Sequence, residues 1–98
     1  MKLAVFGLSI SSSWGNGHAA LWRGLVNALG HDGHRVTFFE QDAPWYAEHR
    51  DLHGLPDPSR LVLYKAWSDI GAEARRVITR ADAAIVTSYC PDGQDAAA

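Results

Sequence analysis

The pattern of apolar and polar residues along the chain predicts strands separated by helices. Four short apolar runs have the length and composition of strands: residues 2–8, 34–40, 60–64 and 82–88. Two longer stretches repeat apolar residues at helical spacing: residues 18–29 and 70–80. Such alternation implies right-handed crossovers and a parallel sheet, so we predict an α/β, Rossmann-like fold with the strand order 3-2-1-4.

The first helix carries an apolar stripe that we expect to pack on the sheet: Leu21, Trp22, Leu25, Val26 and Leu29. Gly24 inside this helix suggests a close approach of helix to sheet, because glycine otherwise only weakens a helix. Asn16 is the predicted N-cap of the first helix, and Ser68 or Asp69 that of the second.

Two full helices are too few for four parallel strands, because a parallel sheet needs both faces covered. A further helix begins only at residues 96–98. We therefore expect residues 1–98 to be the first part of a larger protein and only a partial domain.

Composition excludes several classes of function. A formal charge of −2 gives no electrostatic argument for binding nucleic acid. The single cysteine, Cys90, excludes an internal disulfide framework and favours a reducing, cytoplasmic location. No apolar segment approaches the ~20 residues of a membrane span, and no Cys/His spacing resembles a metal site.

The glycine-bearing loop SISSSWGNG, residues 9–17, follows the first strand and leads into the first helix. Glycines let a backbone approach a ligand closely, and a helix N-terminus favours anions. The loop's candidate ligand contacts are Ser11, Ser12, Ser13, Gly15, Asn16 and Gly17. His18 follows in the first helical turn, where two interpretations stay open: a neutral general base, or a residue that only packs locally.

Gly15-Asn16-Gly17-His18-Ala19-Ala20 also fits the dinucleotide pattern G-x-G-x-x-A, with Glu40 ending the second strand 20 residues later. This fit supports an alternative function, a dinucleotide-binding oxidoreductase domain that uses Gly15, Gly17 and Glu40. The alternative is disfavoured because Gly15 lies seven residues beyond Leu8, whereas the pattern's first glycine directly follows its strand. We therefore expect Glu40 to be an acceptor contact or an exposed strand end.

Two further segments follow strand ends at the same predicted edge of the sheet. Asp42 and Tyr46 come after the second strand, in a segment of aromatic and charged residues suited to a sugar. The alternative interpretation is a surface loop that Trp45 and Tyr46 attach to the core. Ser88 and Tyr89 come after the fourth strand. Because the first and fourth strands should be neighbours, the three loops should converge at the switch point of the sheet.

The segments FGLSISSSWGNGHAALWRGL, ALGHDGHRVTFFEQDAPWYAEHRDL, RLVLY and DAAIVTSYCPDG resemble the N-terminal domain of CgeB-like glycosyltransferases, GT-B-fold enzymes related to spore-maturation proteins. The resemblance covers essentially the whole chain. It implies transfer of a sugar from a nucleotide-sugar donor to an acceptor, without a further cofactor or metal.

The family resemblance also implies a division of labour between two Rossmann-like domains that face each other across a cleft. A C-terminal domain, outside this chain, would hold the donor, and this domain would contribute mainly acceptor contacts. His18 matches the position of a histidine that serves many GT-B enzymes as a base or a donor contact. This fragment alone is expected to be inactive.

Overall fold

The computed structural model describes residues 1–13 and 17–87 of the chain. Its helices and strands follow one another in this order: β1 (Lys2–Gly7), α1 (His18–His31), β2 (Arg35–Gln41), α2 (Pro44–Ala47), β3 (Arg60–Tyr64), α3 (Trp67–Arg80) and β4 (Ala83–Val86). The four predicted strands and the two predicted full helices are therefore present, and the predicted start of a further helix at residues 96–98 lies outside the described residues. Their ends differ from the sequence prediction by a few residues, as expected for boundaries inferred from pattern alone.

The four strands form one parallel sheet with the order β3-β2-β1-β4, which confirms the predicted Rossmann-like α/β topology. Val5 of β1 lies in register with Phe38 of β2 on one side and with Ile85 of β4 on the other. All strands therefore end at the same edge of the sheet, here called the carboxyl edge, and begin at the opposite amino edge.

Side chains on the two faces of the sheet form two separate cores. On one face the rings of Phe6 and Phe39 stack with centroids 4.7 Å apart, beneath α3. On the other face Phe38 packs edge-on against Trp22 of α1 and lies in one cluster with Val26. Burial of each such side chain is worth roughly 1.5–3 kcal/mol, so the two helices are held chiefly by these contacts.

Gly7 at the end of β1 lets the ring of Phe38 from the neighbouring strand β2 lie close to the β1 backbone. A Cβ at this position would lie 2.5 Å from Cζ of Phe38, which is fully buried. Gly33, in the turn before β2, has a φ of +82°, a left-handed conformation that glycine adopts without strain.

The predicted apolar stripe of α1 is only partly correct. Ala19 and Val26 are buried, and Trp22 and Leu29 pack against the core, at a spacing of three and four residues. Leu21 and Leu25 lie on a neighbouring flank and are 73% and 46% exposed. The expectation for Gly24 is wrong, because nothing lies within 4 Å of a Cβ built there.

The predicted helix caps also differ from the structure. α3 starts one residue earlier than Ser68, with Ala66 as N-cap and no capping side chain. Asp69 instead lies in the first turn, where its charge favours the positive helix end. Gly17 is the N-cap residue of α1, while Asn16 lies outside the described residues. In the part of the chain that the structure describes, no helix has the length and apolarity needed to span a membrane.

Candidate functional site

A cavity of about 290 Å³ opens at the carboxyl edge, where the strand order reverses between β1 and β4. The backbone N–H of Thr87 donates to the carbonyl of Phe6 at 3.0 Å and extends the pairing of these strands up to the cavity. The residues that line it come from the end of β1, from α1 and from the end of β4: Leu8, Ser9, His18, Leu21, Trp22, Leu25 and Thr87. This is the position at which open α/β sheets bind their ligands.

The walls of this carboxyl-edge cavity combine apolar and polar groups. α1 supplies Leu21, Trp22 and Leu25, which explains why two leucines remain exposed on that flank. Among the described residues, Oγ1 of Thr87 is a buried side-chain oxygen without a hydrogen-bond partner. Leaving such a group unpaired costs roughly 1–3 kcal/mol, so this hydroxyl is a candidate contact for a ligand.

His18 is the first residue of α1 and lines the same cavity. Its position in the first turn places an imidazole beside the positive end of the helix. The structure thus puts His18 at the predicted edge, and its role as base or ligand contact stays a prediction.

Glu40 anchors the start of the loop that follows β1. Its carboxylate is fully buried, and Oε1 accepts the backbone N–H groups of Ile10 at 2.8 Å and Ser11 at 3.0 Å. Oε2 accepts the hydroxyl of Ser11 at 2.6 Å. The expectation of an exposed strand end is therefore wrong, because a buried carboxylate must be satisfied by such donors.

Arg50 joins the loop after β1 to the loop after β2. Its Nε donates to the hydroxyl oxygen of Ser11 at 2.9 Å, and its Nη2 donates to Asp42 at 2.8 Å. Nη2 also lies 3.9 Å from Oε2 of Glu40. The arginine side chain is only 12% exposed, so its charge helps to offset the cost of burying Glu40.

Residues 49–52 run alongside the same loop and fix its backbone. The N–H groups of Asp51 and Leu52 both donate to the carbonyl of Ser11 at 3.0 Å. The hydroxyl of Ser12 donates to the carbonyl of His49 at 2.9 Å. Together with Glu40, these contacts hold residues 10–12 from two sides.

Arg23 of α1 completes the support by joining the helix to the loop. Its Nε donates to the carbonyl of Ile10 at 2.8 Å, and its Nη2 pairs with Asp51. Asp51 also accepts the hydroxyl of Ser13 at 2.7 Å. The hydrogen bond from Arg23, and then that from Ser13, hold the pKa of Asp51 well below its ordinary value.

The predicted ligand contacts fall into three groups. Ser11 and Ser12 are fully buried and direct their hydroxyls to protein acceptors, and Tyr46 is 9% exposed. Ser13, Gly17 and His18 are exposed, and Asp42 is half-buried against Arg50. The others lie outside the described residues: Gly15, Asn16, Ser88 and Tyr89. Ser11 and Asp42 are thus brought together through Arg50, while their contact with a ligand stays a prediction.

Sequence reasoning did not single out Arg23, Arg50 or Thr87. Arg23 lies on α1 outside the predicted apolar stripe, and its side chain reaches back to Ile10. Arg50 follows Glu40 and Asp42 by eight to ten residues. This proximity of opposite charges in the sequence was the available signal for the ion pairs. Thr87 was detectable only as a polar residue closing an apolar strand.

No group of three or more His, Cys, Asp or Glu side chains within residues 1–13 and 17–87 is arranged to hold a metal ion. The fold and the carboxyl-edge cavity define a Rossmann-like α/β domain with a cleft at its switch point. No protein-family model, curated protein or solved structure matches this chain. The chemistry of the cleft is therefore inferred from its own residues.

Proposed function

We propose that this chain is the acceptor-side N-terminal domain of a GT-B glycosyltransferase. In this proposal a sugar moves from a nucleotide-sugar donor to an acceptor hydroxyl. The observation that carries the proposal is the carboxyl-edge cavity, which combines apolar walls, His18 and the unpaired hydroxyl of Thr87. An acceptor with an apolar body and a hydroxyl group suits such a cavity.

The network beneath the cavity supports the proposal. Transfer reactions need reactants held in a fixed geometry. Glu40, Arg50 and Arg23 fix residues 10–11 by hydrogen bonds from β2, from the segment after α2 and from α1. The loop that leads to His18 therefore starts from a fixed backbone. The class of reaction, glycosyl transfer, comes from the sequence resemblance to CgeB-like glycosyltransferases.

The proposed reaction joins the acceptor oxygen to the anomeric carbon of the donor sugar. The bond from that carbon to the nucleotide diphosphate breaks, and the diphosphate leaves with the bonding electrons. The acceptor proton passes to a base or to the leaving phosphate. We assign His18 mainly to contact with substrate or phosphate, because it stands at a helix N-terminus that already favours an anion.

Glu40 weighs against the oxidoreductase alternative. A dinucleotide-binding domain would present this carboxylate to the ribose hydroxyls. Here both carboxylate oxygens are buried and accept hydrogen bonds from Ile10 and Ser11. Ribose recognition would require these bonds to break.

Nucleoside diphosphate release by the full-length protein tests the proposal. The protein is incubated with a panel of nucleotide sugars and hydroxyl-bearing acceptors. We expect Thr87→Val to raise the acceptor KM about tenfold, equivalent to one lost hydrogen bond. Thr79→Val is the matched control, because Thr79 is exposed on α3 and its hydroxyl donates to Arg75 of the same helix. Hydride transfer with a nicotinamide cofactor, and no diphosphate release from any donor, would show the assignment to be wrong.

A further inference from the structure

A second cavity, of about 250 Å³, lies at the opposite, amino edge of the sheet, on the face covered by α3. Four cationic side chains line it, one from each of β1, β2, β3 and α3: Lys2, Arg35, Arg60 and Arg80. Thr37 and Val77 also line this amino-edge cavity, and Thr37 is only 6% exposed. The positive charge of these side chains is therefore concentrated around the amino-edge cavity.

Two of these cations are placed against each other by the strand register. Lys2 of β1 and Arg35 of β2 are direct partners in the parallel pairing. Neighbouring side chains in parallel register point to the same face of the sheet, as Phe6 and Phe39 do further along these strands. Like charges at directly paired positions repel each other, so this arrangement destabilises the empty protein.

Acidic neighbours compensate only part of the charge. Arg60 pairs with Glu73 at 3.2 Å. Asp82 accepts the backbone N–H of Lys2 at 2.7 Å. In the part of the chain that the structure describes, the side chains of Lys2, Arg35 and Arg80 enter no salt bridge. The cavity thus retains a positive charge although the whole chain has a formal charge of −2.

We propose that the amino-edge cavity binds a small multivalent anion of the phosphate class, such as a diphosphate. The cationic side chains come from different elements and line one cavity. This arrangement suits a ligand that carries two or more negative charges close together. The bound anion relieves the repulsion between Lys2 and Arg35. The amino-edge cavity lies at the opposite end of the strands from the carboxyl-edge cavity. The anion therefore acts as an effector or stabilising ligand, and its binding does not depend on the proposed reaction.

Calorimetric titration of the 98-residue chain with pyrophosphate at low ionic strength tests the site. We expect a Kd below about 1 mM. Arg35→Gln and Arg80→Gln should each weaken binding about tenfold or more, because each removes a charge-assisted contact. Arg76→Gln is the matched control: Arg76 lies on α3, is exposed, and does not line this cavity. It should change Kd less than about twofold.

Thermal unfolding provides a second, independent measurement. Without pyrophosphate, Arg35→Gln should melt at the same temperature as the wild type or higher, since it removes a like-charge pair. With pyrophosphate the wild type should gain stability and Arg35→Gln should gain little. Absence of binding, equal weakening by Arg76→Gln, or binding of long polyanions without binding of pyrophosphate would each overturn the proposal.

Discussion

Glu40 accepts two hydrogen bonds from Ser11, one from its backbone N–H at 3.0 Å and one from its hydroxyl at 2.6 Å. Ser11 lies in the loop after β1 and Glu40 lies in β2, so the end of β2 holds the start of the loop after β1 in place. The same hydroxyl of Ser11 accepts a hydrogen bond from Arg50. This chain of contacts makes the carboxylate a structural centre of the carboxyl edge.

Replacement of Glu40 tests its structural role. Glu40→Ala should lower the free energy of unfolding by about 3 kcal/mol, because the N–H groups of Ile10 and Ser11 then stay buried without an acceptor. Glu40→Gln keeps one acceptor oxygen and should cost about 1–2 kcal/mol. Urea unfolding of both variants measures these values.

Glu48→Gln is the control for this pair of variants, because Glu48 is exposed in the same region of the chain. It should change stability by less than about 0.5 kcal/mol. A Glu40→Ala variant as stable as this control would contradict the structural role of Glu40.

The same substitution at two glycines should have opposite effects. Gly7→Ala places a Cβ 2.5 Å from the buried ring of Phe38, and the resulting overpacking should cost about 1–3 kcal/mol. Gly24→Ala meets nothing within 4 Å on the exposed side of α1 and should stabilise the protein by up to about 1 kcal/mol. Thermal unfolding of the two variants side by side measures both. Equal melting temperatures would show that Phe38 can move aside.

The sheet was predictable from sequence because its signals are local. The apolar runs around Val5 and Phe38 are short and bounded by polar or glycine-bearing loops, and alternation with helices then restricts the topology. The buried flank of α1 was less predictable. Leu21, Trp22, Leu25 and Val26 are all apolar, so periodicity alone does not decide which of them faces the sheet.

The anchor beneath the candidate site was not predictable from sequence for a different reason. The hydrogen-bond donors of the buried Glu40 carboxylate lie 29 and 30 residues earlier in the chain. Two of those donors are backbone N–H groups, which nearly every residue type carries. For the same reason Ser11 looked like a ligand contact, although its hydroxyl is used inside the protein. Contacts between the main chain of one loop and a side chain of the next strand leave no sequence pattern.

Asp51 should have a lowered pKa and should make the stability of the protein depend on pH. Its pKa is held below the ordinary 3.8, so the folded state favours the charged carboxylate. The resulting stabilisation is fully present above pH ~4 and is lost as the pH falls through the folded-state pKa. Carboxyl NMR titration of the wild type should show the low value, and Arg23→Gln should raise it more than Ser13→Ala does. An unchanged pKa in Arg23→Gln would contradict the assigned cause.

The isolated 98-residue chain should bind nucleotide sugars weakly or not at all and should transfer no sugar. In the proposed enzyme the donor is held mainly by a second domain, and a cleft enzyme needs both walls to position its reactants. Calorimetric titration with common nucleotide sugars measures this. Micromolar affinity that Arg35→Gln leaves unchanged would move the donor site onto this domain, with the carboxyl-edge cavity as its first candidate, because Arg35 belongs to the amino-edge cavity.

His18 in the full-length enzyme distinguishes a substrate contact from a general base. His18→Ala should raise the donor KM, because His18 lines the carboxyl-edge cavity at the N-terminus of α1. A lower melting temperature with unchanged kinetics would instead show a structural role. A base would instead show a loss of kcat of ~100-fold or more with unaltered KM. His31→Ala is the matched control, since His31 is exposed at the far end of the same helix and should change neither parameter. A large loss of kcat at His18 with unchanged KM and unchanged melting would make it the base and contradict the contact role.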